Sequence, residues 1–249
     1  MRILVSGLCG FMGREVAKLA EAGCRGAELV AGVDRSRSAQ ASVPCTPDFA
    51  GAPTDVDCVI DFSHHDCTAA LLDFAVKNHL PLVLATTGQT DGERAAILQA
   101  SQQIPLFFAA NYSLGIALLI ELASAAAAAM PDAEIEIIEK HHDRKLDAPS
   151  GTALSIVEAI RQVRPEAYAN VGRSGAGKRT AQEIGVHAIR MGSIVGDHEV
   201  IIGTQNQTIT IKHEAHSRAL FAEGALAAAA FLCGKEPGLY DMKSLLAKN

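Results

Sequence analysis

Met1-Arg2-Ile3-Leu4-Val5-Ser6-Gly7-Leu8-Cys9-Gly10-Phe11-Met12-Gly13 opens the chain. A short apolar run leads into glycines at 7, 10 and 13, and a helical pattern follows from about Met12 to Ala22. The spacing GxxGxxG is a close variant of the fingerprint that holds a dinucleotide between a strand and a helix. The first glycine makes the tight turn and the second lets backbone approach a pyrophosphate. The third lets helix pack close on strand, with phosphate oxygens at the positive helix N-terminus. On this reading Gly7, Leu8, Cys9, Gly10, Phe11 and Met12 form the phosphate turn; a ligand-free β-to-α turn has the same spacing, so context decides. Asp34 closes a second strand, Glu28 to Asp34, about 20 residues beyond the glycines, where a carboxylate accepts both ribose hydroxyls. This favours NADH. Arg35 and Arg37 follow, and a guanidinium there suits a 2′-phosphate, which keeps NADPH as a second cofactor.

The first half continues to alternate short apolar runs with helical patterns. Strands are expected at Cys58 to Phe62, Leu82 to Ala85 and Leu106 to Phe108, and helices at Cys67 to Asn78 and Asp91 to Ser101. That alternation is the signature of a doubly wound parallel sheet. Ligands of such sheets bind outside the carboxyl ends of the strands, where the loops Ala85-Thr86-Thr87-Gly88 and Ala109-Ala110-Asn111-Tyr112 fall. Their small side chains and hydroxyls suit a nicotinamide carboxamide, and Tyr112 suits a ring; Asp61-Phe62-Ser63 belongs to the same rim. Ser36 to Pro53 has no period and reads as a mobile surface loop.

The second half changes character. An Ala-rich helix, Leu114 to Met130, leads into alternating runs at Ala133 to Lys140, Ile184 to Met191, Ile194 to Gly203 and Gln207 to His213, which fit an antiparallel or mixed sheet. A last helical pattern, Arg218 to Leu232, and a short helix to Asn249 are expected to return to the first domain. The fold class is therefore α/β: a Rossmann-type doubly wound parallel sheet over 1–112 and 218–249, with an inserted α+β domain over 113–217.

Composition narrows the function. With 22 Lys and Arg against 28 Asp and Glu, the formal charge is −6, which argues against a nucleic-acid binder relying on bulk charge. Apolar stretches are short or interrupted by Glu121, so no membrane span is expected. Neither a signal-peptide core nor an Arg/Ser-rich transit segment opens the chain, so the fold is expected to start at residue 1 in the cytoplasm. Six cysteines without any CxxC read as reduced, mostly buried small hydrophobes.

Glu139-Lys140-His141-His142-Asp143-Arg144-Lys145-Leu146-Asp147-Ala148-Pro149-Ser150-Gly151-Thr152-Ala153 concentrates the titratable donors. A strand ends at the histidines, Pro149 keeps Ala148 extended, and Ser150 is a good N-cap for a helix running to about Val163. Amides at Gly151 and Thr152 then face outward at a positive helix end, suited to a carboxylate. His142 and Lys145 complete an anion pocket for a small dicarboxylate. His141, with an ordinary pKa of about 6.5, exchanges a proton near neutrality, and Lys145 holds a carboxylate or acts as an acid. Surface histidines on a polar helix entry remain the bland alternative. Ligand types at His141, His142 and Asp143, and at His213 and His216, lack HExxH or Cys-rich spacing, so no metal is expected.

The HHDRKLDAPSGTA segment resembles the substrate motif of the 4-hydroxy-tetrahydrodipicolinate reductase (dihydrodipicolinate reductase) family. GLCGFMG, Asp34-Arg35, DFS at Asp61, ATTG at Ala85, AANYSLG at Ala109, RMGSIVGDH at Arg190 and HSRALFAEGA at His216 follow in the family's order over essentially the full length. The resemblance implies NAD(P)H-dependent reduction of a ring dicarboxylate to tetrahydrodipicolinate in lysine and diaminopimelate biosynthesis, by a homotetramer. It implies His141 as proton donor or acceptor, Lys145 as proton donor, and His142, Ser150, Gly151 and Thr152 as substrate contacts. Phe11 replaces the family's usual arginine, which removes a cation near the phosphates and weakens selection for NADPH; Ala85 and Tyr112 also depart from the family pattern. Two other readings fit the glycine loop alone: an oxidoreductase of another small anion, such as an amino-acid semialdehyde, and a non-catalytic dinucleotide sensor. The long His-His-Lys segment discriminates against both.

Overall fold

The computed structural model of the protein describes residues 1–36 and 43–247. In chain order its elements are β1 (Arg2–Ser6), α1 (Phe11–Glu21), β2 (Glu28–Val33), β3 (Cys45–Thr46), β4 (Cys58–Asp61), α2 (Thr68–Lys77), β5 (Leu82–Leu84), α3 (Asp91–Ala100) and β6 (Pro105–Phe108). Then come α4 (Leu114–Ala129), β7 (Glu134–His141), α5 (Gly151–Val163), β8 (Tyr168–Val171), β9 (Glu183–Arg190), β10 (Gly196–Gly203), β11 (Thr208–Ala215), α6 (Ala219–Leu232), β12 (Gly238–Tyr240) and α7 (Met242–Leu246). Two compact units result: Met1–Ser113 with Ala219–Asn249, and Leu114–Arg218.

The first unit is a parallel sheet in the order β12-β6-β5-β4-β1-β2-β3. Read from β3, this is the 3-2-1-4-5-6 order of doubly wound nucleotide-binding sheets with one strand added at the far edge. Apolar runs form these strands because helices cover both faces. Leu4, Val59, Leu82, Leu84 and Leu106 pack with Leu71 of α2 and Ile97 of α3, while Phe107 on the opposite face meets the Phe231 ring of α6, with centroids 6.2 Å apart. Each such side chain, fully buried, contributes about 1.5–3 kcal/mol.

The second unit is a mixed sheet in the order β11-β10-β7-β9-β8, with α4 and α5 on one face. β7 runs antiparallel to β10 and parallel to β9. Strand periodicity places Ile135, Ile137, Glu139 and His141 on the covered face of β7. Ile135 and Ile137 join the core, and the same face carries polar chemistry at its carboxyl end.

Several elements depart from the sequence expectation. β3, β8 and β12 are edge strands without an apolar run, and β12 forms at the Pro237-Gly238 break between the last two helical stretches. Within Ser36 to Pro53 the chain forms β3 and a single helical turn, Phe49–Gly51; the expected mobility and the Arg37 contact fall partly or wholly outside the described residues. No disulfide forms among the described residues, but only Cys58 is buried, because Cys45 lies on the edge strand β3 and the others at turns and helix ends. Among the described residues, no helix is long and apolar enough to cross a membrane.

Candidate active site

In the first unit the glycine turn behaves as its spacing predicts. Gly7 has φ +78°, which favours glycine, and a Cβ there would stand 2.6 Å from Phe62 O. A Cβ on Gly13 would stand 2.2 Å from Gly7 O, so this glycine is what lets α1 close on β1. Asp34, just past β2, accepts the Cys9 amide at 2.9 Å and the Ser36 amide and hydroxyl at 2.8 and 2.6 Å. Burial works to raise its pKa, but these bonds outweigh it and hold the carboxyl below its ordinary range.

A cavity of about 510 Å³ opens beside this turn, and it brings together Gly7, Cys9, Gly10, Asp34 and Arg35 with Phe49, Ser63, His64, Asp66 and Cys67. The latter group was not singled out from the sequence; only the rim position of Ser63 was. Leu8 instead points down and fills the space left by Gly32, and Phe11 is exposed at the start of α1. Met12, Ala85, Thr86, Thr87, Ala109, Ala110, Asn111 and Tyr112 are not among the cavity's lining residues.

Two expected ring or amide contacts need correction. Tyr112 is 3% exposed, and its hydroxyl donates to Leu84 O and Phe107 O at 2.9 and 3.2 Å, so its ring is core and cannot face a nicotinamide. The Thr86 hydroxyl donates to Asp61 Oδ2 at 2.6 Å, and Ser63 Oγ donates to Asp61 Oδ1 at 2.6 Å. Asp61 thus ties the two loops together, and burial raises its pKa. The Thr86 hydroxyl is thus committed to the fold, whereas Thr87 is exposed and Asn111 half-buried.

In the second unit the strand register assembles a network. His198 of β10 lies directly across from Glu139, and Arg190 of β9 across from His141. Glu139 has no exposed surface. Its Oε2 receives His141 Nδ1 at 2.6 Å and Arg190 Nη1 at 2.8 Å, and its Oε1 receives Arg190 Nη2 at 2.6 Å and the Ser150 amide at 3.0 Å. Burial works to raise the Glu139 pKa, but Arg190, His141 and the amide win and hold it low. Burial lowers the His141 pKa, and the Glu139 bond and charge oppose this without reversing it. His141 is therefore neutral near pH 7, with its proton on Nδ1 and a lone pair on Nε2. Gly196 keeps that nitrogen clear, since a Cβ there would stand 3.0 Å from Nε2.

Ser150 caps α5 as expected, accepting the Ala153 amide at 3.2 Å. Its Oγ also lies 3.0 Å from His198 Nε2, so the hydroxyl expected on the substrate is occupied by the fold. Burial pushes His198 down to about 4. Gly151 is exposed, with nothing within 4 Å of a Cβ position; Thr152 follows it, half-buried. The Ala148–Pro149 peptide leading to them is cis. Lys145 Nζ pairs with Asp147 Oδ1 at 2.8 Å. The His142 amide donates to Ile194 O at 2.8 Å, and its buried Nδ1 has no hydrogen-bond partner among the described residues.

The parallel sheet order, the glycine turn and the strand-end acid define a Rossmann-type dinucleotide-binding oxidoreductase. Amides of the turn suit a pyrophosphate and Asp34 a ribose, so the residues present fit the cofactor. Family models described as the N-terminus and C-terminus of dihydrodipicolinate reductase match residues 1–112 and 115–246. The 4-hydroxy-tetrahydrodipicolinate reductase of Caldanaerobacter subterraneus subsp. tengcongensis is 46% identical over 250 residues, covering 100% of this chain and 99% of its own. That of Clostridium tetani is 42% identical, covering 99% and 97%. A solved structure of dipicolinate-bound dihydrodipicolinate reductase from Paenisporosarcina sp. TG-14 aligns with TM-score 0.82 at 25% identity, covering 97% of each chain. The chain belongs to the dihydrodipicolinate reductase family, whose members are oxidoreductases that use a nicotinamide dinucleotide.

Proposed function

We propose that this chain reduces 4-hydroxy-tetrahydrodipicolinate, by way of dihydrodipicolinate, to tetrahydrodipicolinate, with the two units dividing the work. Residues 1–112 and 218–249 hold the dinucleotide; residues 113–217 hold the dicarboxylate and pair subunits into a homotetramer in the cytoplasm. The observation that carries this is the buried Glu139–His141 pair at the end of β7, beside the exposed N-terminus of α5.

When bound, the reduced nicotinamide supplies the hydride. The protein's part is to fix a doubly negative ring and move a proton. The Gly151 and Thr152 amides, with His142 and Lys145, bind carboxylates at the positive end of α5. Ser150 acts by holding that helix end in place. His141 Nε2 exchanges the proton, while Glu139 fixes the ring through Nδ1 and balances the charge when His141 is protonated. Lys145 must exchange Asp147 for substrate, and its mobile ammonium is a second proton source.

For the cofactor, Asp34 favours the ribose diol of NADH, and Phe11 offers no cation to a phosphate. Arg35 lies in the same cavity and supports use of NADPH. Steady-state oxidation of each dinucleotide, dependent on freshly made substrate, tests the reading; no turnover with either defeats it. Pyridine-2,6-dicarboxylate, a planar analogue with both carboxylates, is expected to inhibit competitively with the substrate. Indifference to millimolar analogue would remove the anion pocket.

A further inference from the structure

One turn of the first unit gathers metal-type ligands that the proposed reduction does not use. The chain leaving β4 runs Ser63-His64-His65-Asp66-Cys67 into α2, and one ligand atom each from His64, His65 and Asp66 lie within 4.8 Å of one another. His64 Nδ1 stands 3.1 Å from Asp66 Oδ2, and His65 Nδ1 stands 3.6 Å from Asp66 Oδ1. A second carboxylate arrives from α3, with Glu93 Oε1 3.2 Å from His65 Nδ1. The other Glu93 oxygen is fixed by the Thr90 amide and hydroxyl at 2.7 and 2.9 Å.

Both imidazoles at this turn face carboxylate oxygens through Nδ1, and the Asp66 amide lies 3.4 Å from the same His64 nitrogen, so a cation held here would meet nitrogen and oxygen donors together. Imidazole nitrogen with carboxylate oxygen is the donor set of zinc and its neighbours, whereas magnesium and calcium prefer oxygen alone.

We propose that His64, His65 and Asp66, with Glu93 beside them, form a site for a divalent transition-metal ion of the zinc type. His64 and Asp66 also line the cavity assigned to the dinucleotide, so the ion would stand at its rim. The inference does not depend on the reductase reading, because its test measures metal binding and not turnover.

The full chain, freed of metal with a chelator and dialysed, is titrated with Zn²⁺ by calorimetry and with Co²⁺ by visible absorption. One ion per chain is expected, with cobalt d–d bands and no thiolate charge-transfer band in the near ultraviolet. Binding should weaken about tenfold or more in the His64→Ala/His65→Ala double variant. Asp66→Asn keeps the shape of the turn and should weaken binding to a similar degree; both variants are checked for a wild-type thermal melt. Absence of binding to the wild type, a thiolate band, or undiminished affinity in the well-folded variants overturns the site.

Discussion

A carboxylate with no exposed surface needs partners to stay ionised, and Glu139 has Arg190, His141 and the Ser150 amide. Its hydrogen bond, and then its charge, are the main influences raising the His141 pKa against burial. Glu139→Gln removes that charge, so His141 loses its proton at still lower pH. The kcat is expected to fall about 100-fold, the scale of one general acid–base group, and the pH-profile limb that follows His141 moves toward acid. A rate loss with an unmoved limb would make Glu139 merely architectural. A second residue-level prediction concerns Arg35, whose Nη2 donates to Cys67 Sγ at 3.2 Å inside the cavity beside the glycine turn. Cys67→Ala releases the guanidinium toward a 2′-phosphate. The ratio of kcat/KM for NADPH over NADH should rise about threefold to tenfold, the worth of one hydrogen bond; an unchanged ratio would mean that the thiol does not restrain Arg35. Asp34 was legible from its distance past the glycines. The partners of Glu139 were not, because Arg190 and His198 reach it only through the register of β9 and β10, which one strand's pattern does not specify.

At the scale of elements, periodicity exposed the long helices and the strands of each sheet, and the same reasoning could have gone further. Counting by twos from Ile135 puts Glu139 and His141 in the buried phase of β7, a visible sign that the strand's end is functional. Tyr112 misled because nearness to a strand end says nothing about side-chain direction; the ring turns back under β5 and β6, where two carbonyls accept its hydroxyl. The partner that closes over it is α6, an Ala-rich helix whose weak amphipathicity hides its contact face. Ala225, Leu226, Ala228, Ala229 and Leu232 are all fully buried in it. A Cβ on Gly224 would stand 1.7 Å from Tyr112 O, backbone that cannot swing aside. Replacing a mid-helix glycine by alanine ordinarily stabilises by about 1 kcal/mol. Here the sign is expected to reverse: Gly224→Ala should destabilise by about 1–3 kcal/mol, the scale of overpacking in a dense core. Denaturant melts compare the two chains directly, and a more stable variant would show that α6 stands off the Tyr112 backbone.

At the scale of the whole molecule, the chain leaves the first unit after Ser113 and returns at Ala219, and each unit has a separate apolar core. The second unit is one continuous segment, so its β7, β9 and β10 ladders and its α4 and α5 cover are all encoded between Leu114 and Arg218. A fragment spanning those residues should therefore melt cooperatively with a mixed α/β circular-dichroism spectrum. The first unit is different, because its last pieces are supplied by the returning chain. Without 219–249, the sheet face under Phe107 loses α6 and β6 loses its outer partner β12. Residues 1–113 alone should expose that face, aggregate and show no cooperative transition, whereas the same residues fused to 219–249 through a flexible linker should recover one and bind NADH. A cooperative melt from 1–113 by itself would show that the returning helix decorates a sheet already complete, and the weight placed on Gly224 and the buried alanines of α6 would fall with it.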